Sequence, residues 1–148
     1  MFMTKRIKIA VGLLTGLALA ALVIYYFVTR PFADTADLRP DYTVDALPFV
    51  AEFEGNPAVA NKKYSEKIIV VRGRVSALEK ADTLINIKMT HPKSGSYIIF
   101  SFQPGESGKL ASVKAGDSVS IKGSCSNGTY SEILSNYFIG FKRCSLLP

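Results

Sequence analysis

The chain has no tryptophan, a single histidine and two cysteines in 148 residues. His91, Cys125 and Cys144 fall short of the four ligands of a structural zinc site, and His91 precedes Pro92 in a turn-like stretch, so no metal site is expected. The sequence also lacks H-E-x-x-H, G-x-S-x-G and a glycine-rich phosphate loop, and its acidic residues are widely scattered. Neither a nucleophile with its base nor a carboxylate pair is legible, so the expectation is a non-catalytic protein without a cofactor. Long Ala/Glu/Lys/Leu runs are missing too, while 11 Gly, 7 Pro, 9 Phe and 7 Tyr are present. That composition argues against a helical bundle and for short strands joined by turns.

Charge is absent where the chain is most apolar. Residues 9–28 contain no Asp, Glu, Lys or Arg, and at about 1.5 Å per residue such a run spans the roughly 30 Å hydrocarbon core of a bilayer. Tyr25, Tyr26 and Phe27 stand at its far end, where rings favour the headgroup boundary, and Arg30 closes it. Lys5, Arg6 and Lys8 precede the run. Only Arg30 and Arg39 follow closely, diluted by Asp34, Asp37 and Asp41, and the more basic flank is retained in the cytoplasm. The pattern predicts a cytoplasmic basic tail over residues 1–8, a transmembrane anchor over 9–29, a tether over 30–42, and a domain over 43–148. This is a single-pass inner (cytoplasmic) membrane protein with its C-terminal domain periplasmic or otherwise extracytoplasmic. A cleaved signal peptide is the competing reading, since Ala18-Leu19-Ala20 is a small-x-small site, but the apolar run continues well beyond it. Neither cysteine lies near the N-terminus to accept lipid.

The formal charge of +6 falls to +3 once the three cations ahead of the apolar run are set aside. The domain thus has an ordinary surface rather than a phosphate-binding one. In an exported domain, Cys125 and Cys144 are expected to pair, and closing a loop of that size would contribute about 3 kcal/mol. Two buried free thiols are the alternative.

Local patterns outline the domain. Ala46, Leu47, Phe49, Val50 and Phe53 recur at helical spacing, with Asp45 as N-cap, Pro48 in the first turn and Gly55 as the stop. Asn56-Pro57 signals a second short helix through Tyr64. Residues 67–78 turn β-branched, with Gly73 marking a bend, and read as one long strand. Residues 84–90 and 97–102 alternate strictly, with Ile85, Ile87, Met89, Ile98, Phe100 and Phe102 inward, and pair as a hairpin across His91–Ser96. After one helical turn at Leu110 and Val113, 118–124 forms a fourth strand, Asn127-Gly128 a tight turn, and 137–147 the last strand. The fold class expected is mainly β: a five-stranded OB-like Greek-key barrel preceded by two short helices, plus one N-terminal transmembrane helix.

Residues 53–75 (FEGNPAVANKKYSEKIIVVRGRV), 115–125 (AGDSVSIKGSC) and 141–144 (FKRC) carry a family pattern. Phe53, Asn56, Ala60, Tyr64 and Lys67 fit F-x-x-N-x-x-x-A-x-x-x-Y-x-x-K, and Gly73, Gly116-Asp117 and Gly123-x-Cys125 follow in order. The stretch of about 43–146 resembles the bacterial tRNA anticodon-binding-like (tRNA_anti-like) OB-fold family of small exported or membrane-anchored proteins. These matching positions are structural, and the resemblance implies a fold rather than an activity.

OB folds bind through the face of their second and third strands and the adjoining loops. The outward residues there are Asn86, Lys88, Thr90, Tyr97, Ile99 and Ser101. Arg72, Arg74 and Lys122 would extend a positive patch, and Tyr130 and Tyr137 are further contact candidates. One aromatic and one cation are fewer than a nucleic-acid groove presents, and an extracytoplasmic domain rarely meets nucleic acid. The expected function is therefore a membrane-anchored binding module at the cell envelope, its partner an envelope protein, a glycan or a small ligand. A single-stranded nucleic-acid-binding domain is the alternative.

Overall fold

The computed structural model describes residues 4–31 and 33–148; residues 1–3 of the expected basic tail and residue 32 of the expected tether lie outside the described residues. The chain divides into two compact units between residues 33 and 34. The first holds helix α1 (Lys5–Thr29), which has no buried residue. It is the one helix among the described residues long and apolar enough to cross a membrane by length and composition. Its two threonine hydroxyls are satisfied internally: Thr15 donates to the Val11 carbonyl at 2.7 Å and Thr29 to that of Tyr25 at 2.6 Å. At its end Arg30 hydrogen-bonds the Tyr26 hydroxyl and stacks over that ring, 4.5 Å from its centroid.

The second unit is built from β1 (Tyr42–Asp45), α2 (Ala46–Gly55), α3 (Pro57–Tyr64), β2 (Ile68–Arg74), β3 (Ala77–Ala81), β4 (Leu84–Thr90), β5 (Tyr97–Phe102), α4 (Ser107–Leu110), β6 (Ser118–Ser131) and β7 (Asn136–Leu146). The two short helices fall where spacing and caps place them. Asn56 caps α3, its Oδ1 accepting from Val59 N at 3.2 Å. Asp45 stands before α2 without a side-chain cap bond and instead pairs with Arg72 at 3.1 Å.

The sheet has seven strands, not five, in the order β1-β2-β6-β7-β5-β4-β3. The difference has two causes. The long strand expected over 67–78 is two strands at opposite parts of the ladder: β2 pairs with β6, and β3 with β4. Between them Val75 N still donates to Asp117 O at 2.8 Å, while Ser76 N already donates to Lys88 O at 2.8 Å. The chain switches partners within two residues. The extra strand, β1, lies within and just beyond the expected tether and runs parallel to β2, Tyr42 opposite Ile69. The ladder ends at β1 and β3, so the OB-like sheet is curled but not closed into a barrel.

Asn127-Gly128 is not a turn. β6 continues through it, with a bulge between Cys125 and Gly128 against β7, and the reversal comes at residues 132–135. Glycine is needed at 128 because a Cβ there would sit 2.2 Å from the Phe53 ring. Asn61 of α3 then grips the same residue, donating to Gly128 O at 3.0 Å and accepting from Gly128 N at 2.8 Å.

The core lies between α2, α3 and the concave face of the sheet. Phe49 meets Phe53 at 5.1 Å and Tyr64 at 4.9 Å between ring centroids, and Phe100 meets Phe141 at 5.1 Å. All five rings are essentially buried, beside Ile69, Val71, Ile87, Ile98, Ile121 and Ile139. Burying each contributes about 1.5–3 kcal/mol. The Tyr64 hydroxyl is satisfied by donating to Glu52 at 2.9 Å.

Cys125 and Cys144 are both buried and both free; the expected bridge is not formed. Register explains why. Phe141 is opposite Cys125 across β6 and β7, and Arg143, with φ 51°, shifts the end of β7 so that the Cys144 sulfur lies over Gly123 instead. Burial pushes the Cys125 thiol up to about 12, with the Glu66 carboxylate adding to it, and burial raises Cys144 as well.

Candidate functional site

The convex face of the sheet has two unequal halves. On one half, around Val70 of β2, Lys122 and Ser124 of β6 and Ser145 of β7, the chain covers itself, while Arg72 and Arg74 at the end of β2 stay exposed. Thr35–Asp37 forms a single 3-10 turn, and the buried Lys122 amine reaches it, donating to Ala36 O at 2.5 Å and Leu38 O at 2.9 Å. Asp34 accepts from Gln103 at 2.6 Å and from Ala36 N at 2.9 Å, and these two hydrogen bonds, the Gln103 one foremost, hold its carboxyl below the ordinary range. Asp41 accepts from Ile68 N at 2.9 Å. Residues 34–41, expected as part of a loose tether, are thus fastened to the domain. Lys122, expected on the binding face, is a structural clamp.

The other half is open. Strict alternation on β4 and β5 brings Asn86 opposite Ser101, Lys88 opposite Ile99 and Thr90 opposite Tyr97. The parallel pairing of β5 with β7 then sets Phe138 beside Tyr97. Their rings stack at 6.2 Å with 22° between planes. The Lys88 amine lies 4.2 Å from the Tyr97 ring centroid and 3.0 Å from a Glu79 carboxylate oxygen. A partly exposed ion pair and a partly exposed cation-π contact are each worth about 1 kcal/mol. Lys88 is thus held in place only weakly.

The turns that bound this face carry exposed apolar side chains. Ile133 is 94% and Leu134 57% exposed between β6 and β7, at the Phe138 end, and Leu84 is 55% exposed after the β3–β4 turn, at the Asn86 end. In OB folds these are the positions of the loops that help hold oligonucleotides and oligosaccharides.

Of the residues singled out by sequence, Asn86, Lys88, Tyr97 and Ser101 come together. Arg72 and Arg74 lie on β2, away from them. Tyr130 meets Tyr137 at 5.1 Å between ring centroids, on the opposite side of the β6–β7 pair from Phe138. Phe138, Glu79, Ile133 and Leu134 were not anticipated. Alternation around Ile139 and Phe141 does turn Phe138 outward, but its neighbour follows only from the β5–β7 pairing. Among the described residues no three of His, Cys, Asp and Glu come together as a metal site.

The curled mixed sheet, its packed helices and its bare face of aromatic, amide, hydroxyl and cationic side chains define an OB-like domain. A model of the tRNA_anti-like family matches residues 1–137, and the chain belongs to that family. No curated protein matches the sequence. Among solved structures, a Klebsiella pneumoniae lipoprotein whose name proposes nucleic-acid binding is similar at TM-score 0.55 and 19% identity, over 80% of this chain and 100% of that one. An OBody bound to hen egg-white lysozyme is similar at TM-score 0.43 and 19% identity, over 57% and 85%. An aspartyl-tRNA synthetase-like protein of Leishmania major is similar at TM-score 0.44 and 12% identity, over 85% and 25%.

Proposed function

We propose that the chain is a non-catalytic binding module, anchored by α1 with its N-terminus in the cytoplasm, that takes its ligand at the envelope on the open half of the convex face. The observation that carries this reading is the Tyr97–Phe138 stack with Lys88 beside it, partly exposed and not overlaid by residues 34–38. The orientation rests on Lys5, Arg6 and Lys8 ahead of the apolar run. A glycan or another envelope protein suits that location, since rings stack on sugar faces and the flanking Asn86 and Ser101 offer hydrogen bonds. Single-stranded nucleic acid is the second reading. It is supported by the aromatic pair and its cation, a minimal base-stacking platform, and by the name of the Klebsiella lipoprotein.

Titrating the full chain in lipid nanodiscs with a fluorescent N-acetylglucosamine hexamer and with a dT12 oligonucleotide tests the proposal. Stacking is worth about 1–3 kcal/mol per base, so Tyr97→Ala and Phe138→Ala should each weaken a bound probe at least tenfold. Binding of dT12 that falls steeply with salt would select the nucleic-acid reading. If neither probe binds, a photocrosslinker at position 97 should capture an envelope protein. Binding that ignores both substitutions, or no capture at all, would overturn the assignment of the face. A reporter fused to the C-terminus that is active only inside the cell would overturn the orientation.

A further inference from the structure

The partner switch at Val75 and Ser76 faces the start of α2 and the end of β4. Between them lies a cavity of about 730 Å3, within the roughly 300–1,000 Å3 typical of small-molecule sites. Its wall is apolar: Ala46, Leu47, Pro48, Val50, Val75 and Met89. α2 comes close to it at Gly73, where a Cβ would lie 2.7 Å from the Ala46 Cβ and 2.8 Å from the Met89 sulfur. No Phe or Tyr lines it, and Leu47 and Met89 present flexible aliphatic surface.

The rim is cationic. Of the charged groups lining the cavity, Asp45 and Arg72 neutralise each other at 3.1 Å. Arg74 has no hydrogen-bond or ion-pair partner among the described residues, and it stands between this cavity and a second hollow of about 450 Å3 on the other side of the strand. His91, also at the rim, accepts from Lys93 N and Ser94 N through Nδ1, both at 3.3 Å, which leaves Nε2 as the donor of the neutral ring. An aliphatic pocket with one uncompensated guanidinium at its mouth complements an apolar chain ending in one negative charge. A polar ligand would leave the wall unused, and a neutral one would leave Arg74 unmatched.

We propose that this cavity binds a single-chain amphiphile with an anionic head, its chain in the pocket and its head on Arg74. The head is a carboxylate, as in a free fatty acid, or a phosphate monoester, as in a membrane-derived lysolipid. This site is separate from the convex face and does not depend on it.

The test uses the full chain in phosphatidylcholine nanodiscs with three diazirine probes: a dodecanoate, a dodecyl phosphate and a dodecanol. Cross-links should map by mass spectrometry to residues 45–50, 72–76 and 89–92. The alcohol should label these at least fivefold less than the better anion, and the stronger of the two anions names the head. Arg74→Gln should cut anion labelling at least fivefold and Arg74→Lys should largely restore it, while Phe138→Ala leaves it unchanged, which separates this site from the face above. Arg74 is exposed, so these variants are expected to fold, and a thermal melt checks it. Cross-links confined to α1, equal labelling by the alcohol, or indifference to Arg74→Gln would each overturn the proposal.

Discussion

Two lysines of the same sheet, both on its convex side, have opposite fates. Lys122 is 7% exposed and spends its amine on the carbonyls of Ala36 and Leu38. Lys88 keeps its side chain 26% exposed, over a ring and beside one carboxylate. The difference is what covers them. Residues 34–38 lie over Lys122 and stop there, so that part of the face is buried, while the stacked rings and hydrogen-bonding side chains around Lys88 stay partly exposed. A surface covered by its own chain serves stability, and the part left partly exposed is where the proposed binding would occur.

Packed and open sides of the sheet can be contrasted by adding a methyl group to each. On the concave side, behind Lys122, a Cβ at Gly123 would lie 2.6 Å from the Cys144 sulfur and 3.3 Å from the Phe141 ring. Gly123→Ala should therefore destabilise by about 3 kcal/mol, the upper end of overpacking costs. On the open half, a Cβ at Gly140 meets nothing nearer than the Ser126 Cβ at 3.8 Å, and Gly140→Ala should stay within about 0.5 kcal/mol. Urea midpoints of the two variants measure the gap, and equal costs would refute the assignment of the concave side to the core and of Gly140 to the open face.

The lysines themselves give the next largest effect. Lys122→Met removes a charged donor from two carbonyls and should cost about 2 kcal/mol, with new proteolytic cleavage within residues 34–41. Lys88→Met gives up only weak surface contacts and should change stability by less than about 1 kcal/mol.

The thiols sharpen the comparison through pH. Burial raises the folded-state values of Cys125, to about 12, and of Cys144 above those of an unfolded thiol. The unfolded chain then loses protons first as pH climbs past the ordinary thiol value. The stabilisation from keeping each thiol neutral is complete below that value and declines above it, by about 1.4 kcal/mol per pH unit per thiol. Urea midpoints between pH 8 and 10.5 should fall accordingly, and Cys125→Ala should flatten the slope. Without reductant, Ellman's reagent should find no reactive thiol in the folded protein and two after denaturation; finding none after denaturation would restore the bridge.

Much of the fold was legible because it is written in local periods. The apolar run of 9–28, the Asn56-Pro57 start of α3, and the alternation over 84–90 and 97–102 each follow from spacing that a single element reads by itself. Asn86, Lys88, Tyr97 and Ser101 were reachable for the same reason, since period two assigns their side. Gly73 announced a bend, though not that the strand would change partners there.

What the linear order left undetermined needs the partner strand. Gly128 resembles a turn until Phe53 is placed against it, and Cys125 and Cys144 resemble a pair until the register sets Phe141 and Gly123 between them. Phe138 is one more outward ring until β7 runs beside β5. Lys122 and Lys88 alternate on their strands in the same way, and no local pattern separates them. Spacing along the chain specifies which side of a strand a residue occupies; whether that side is core, clamp or open surface depends on segments many residues away, and those meet only in the folded molecule.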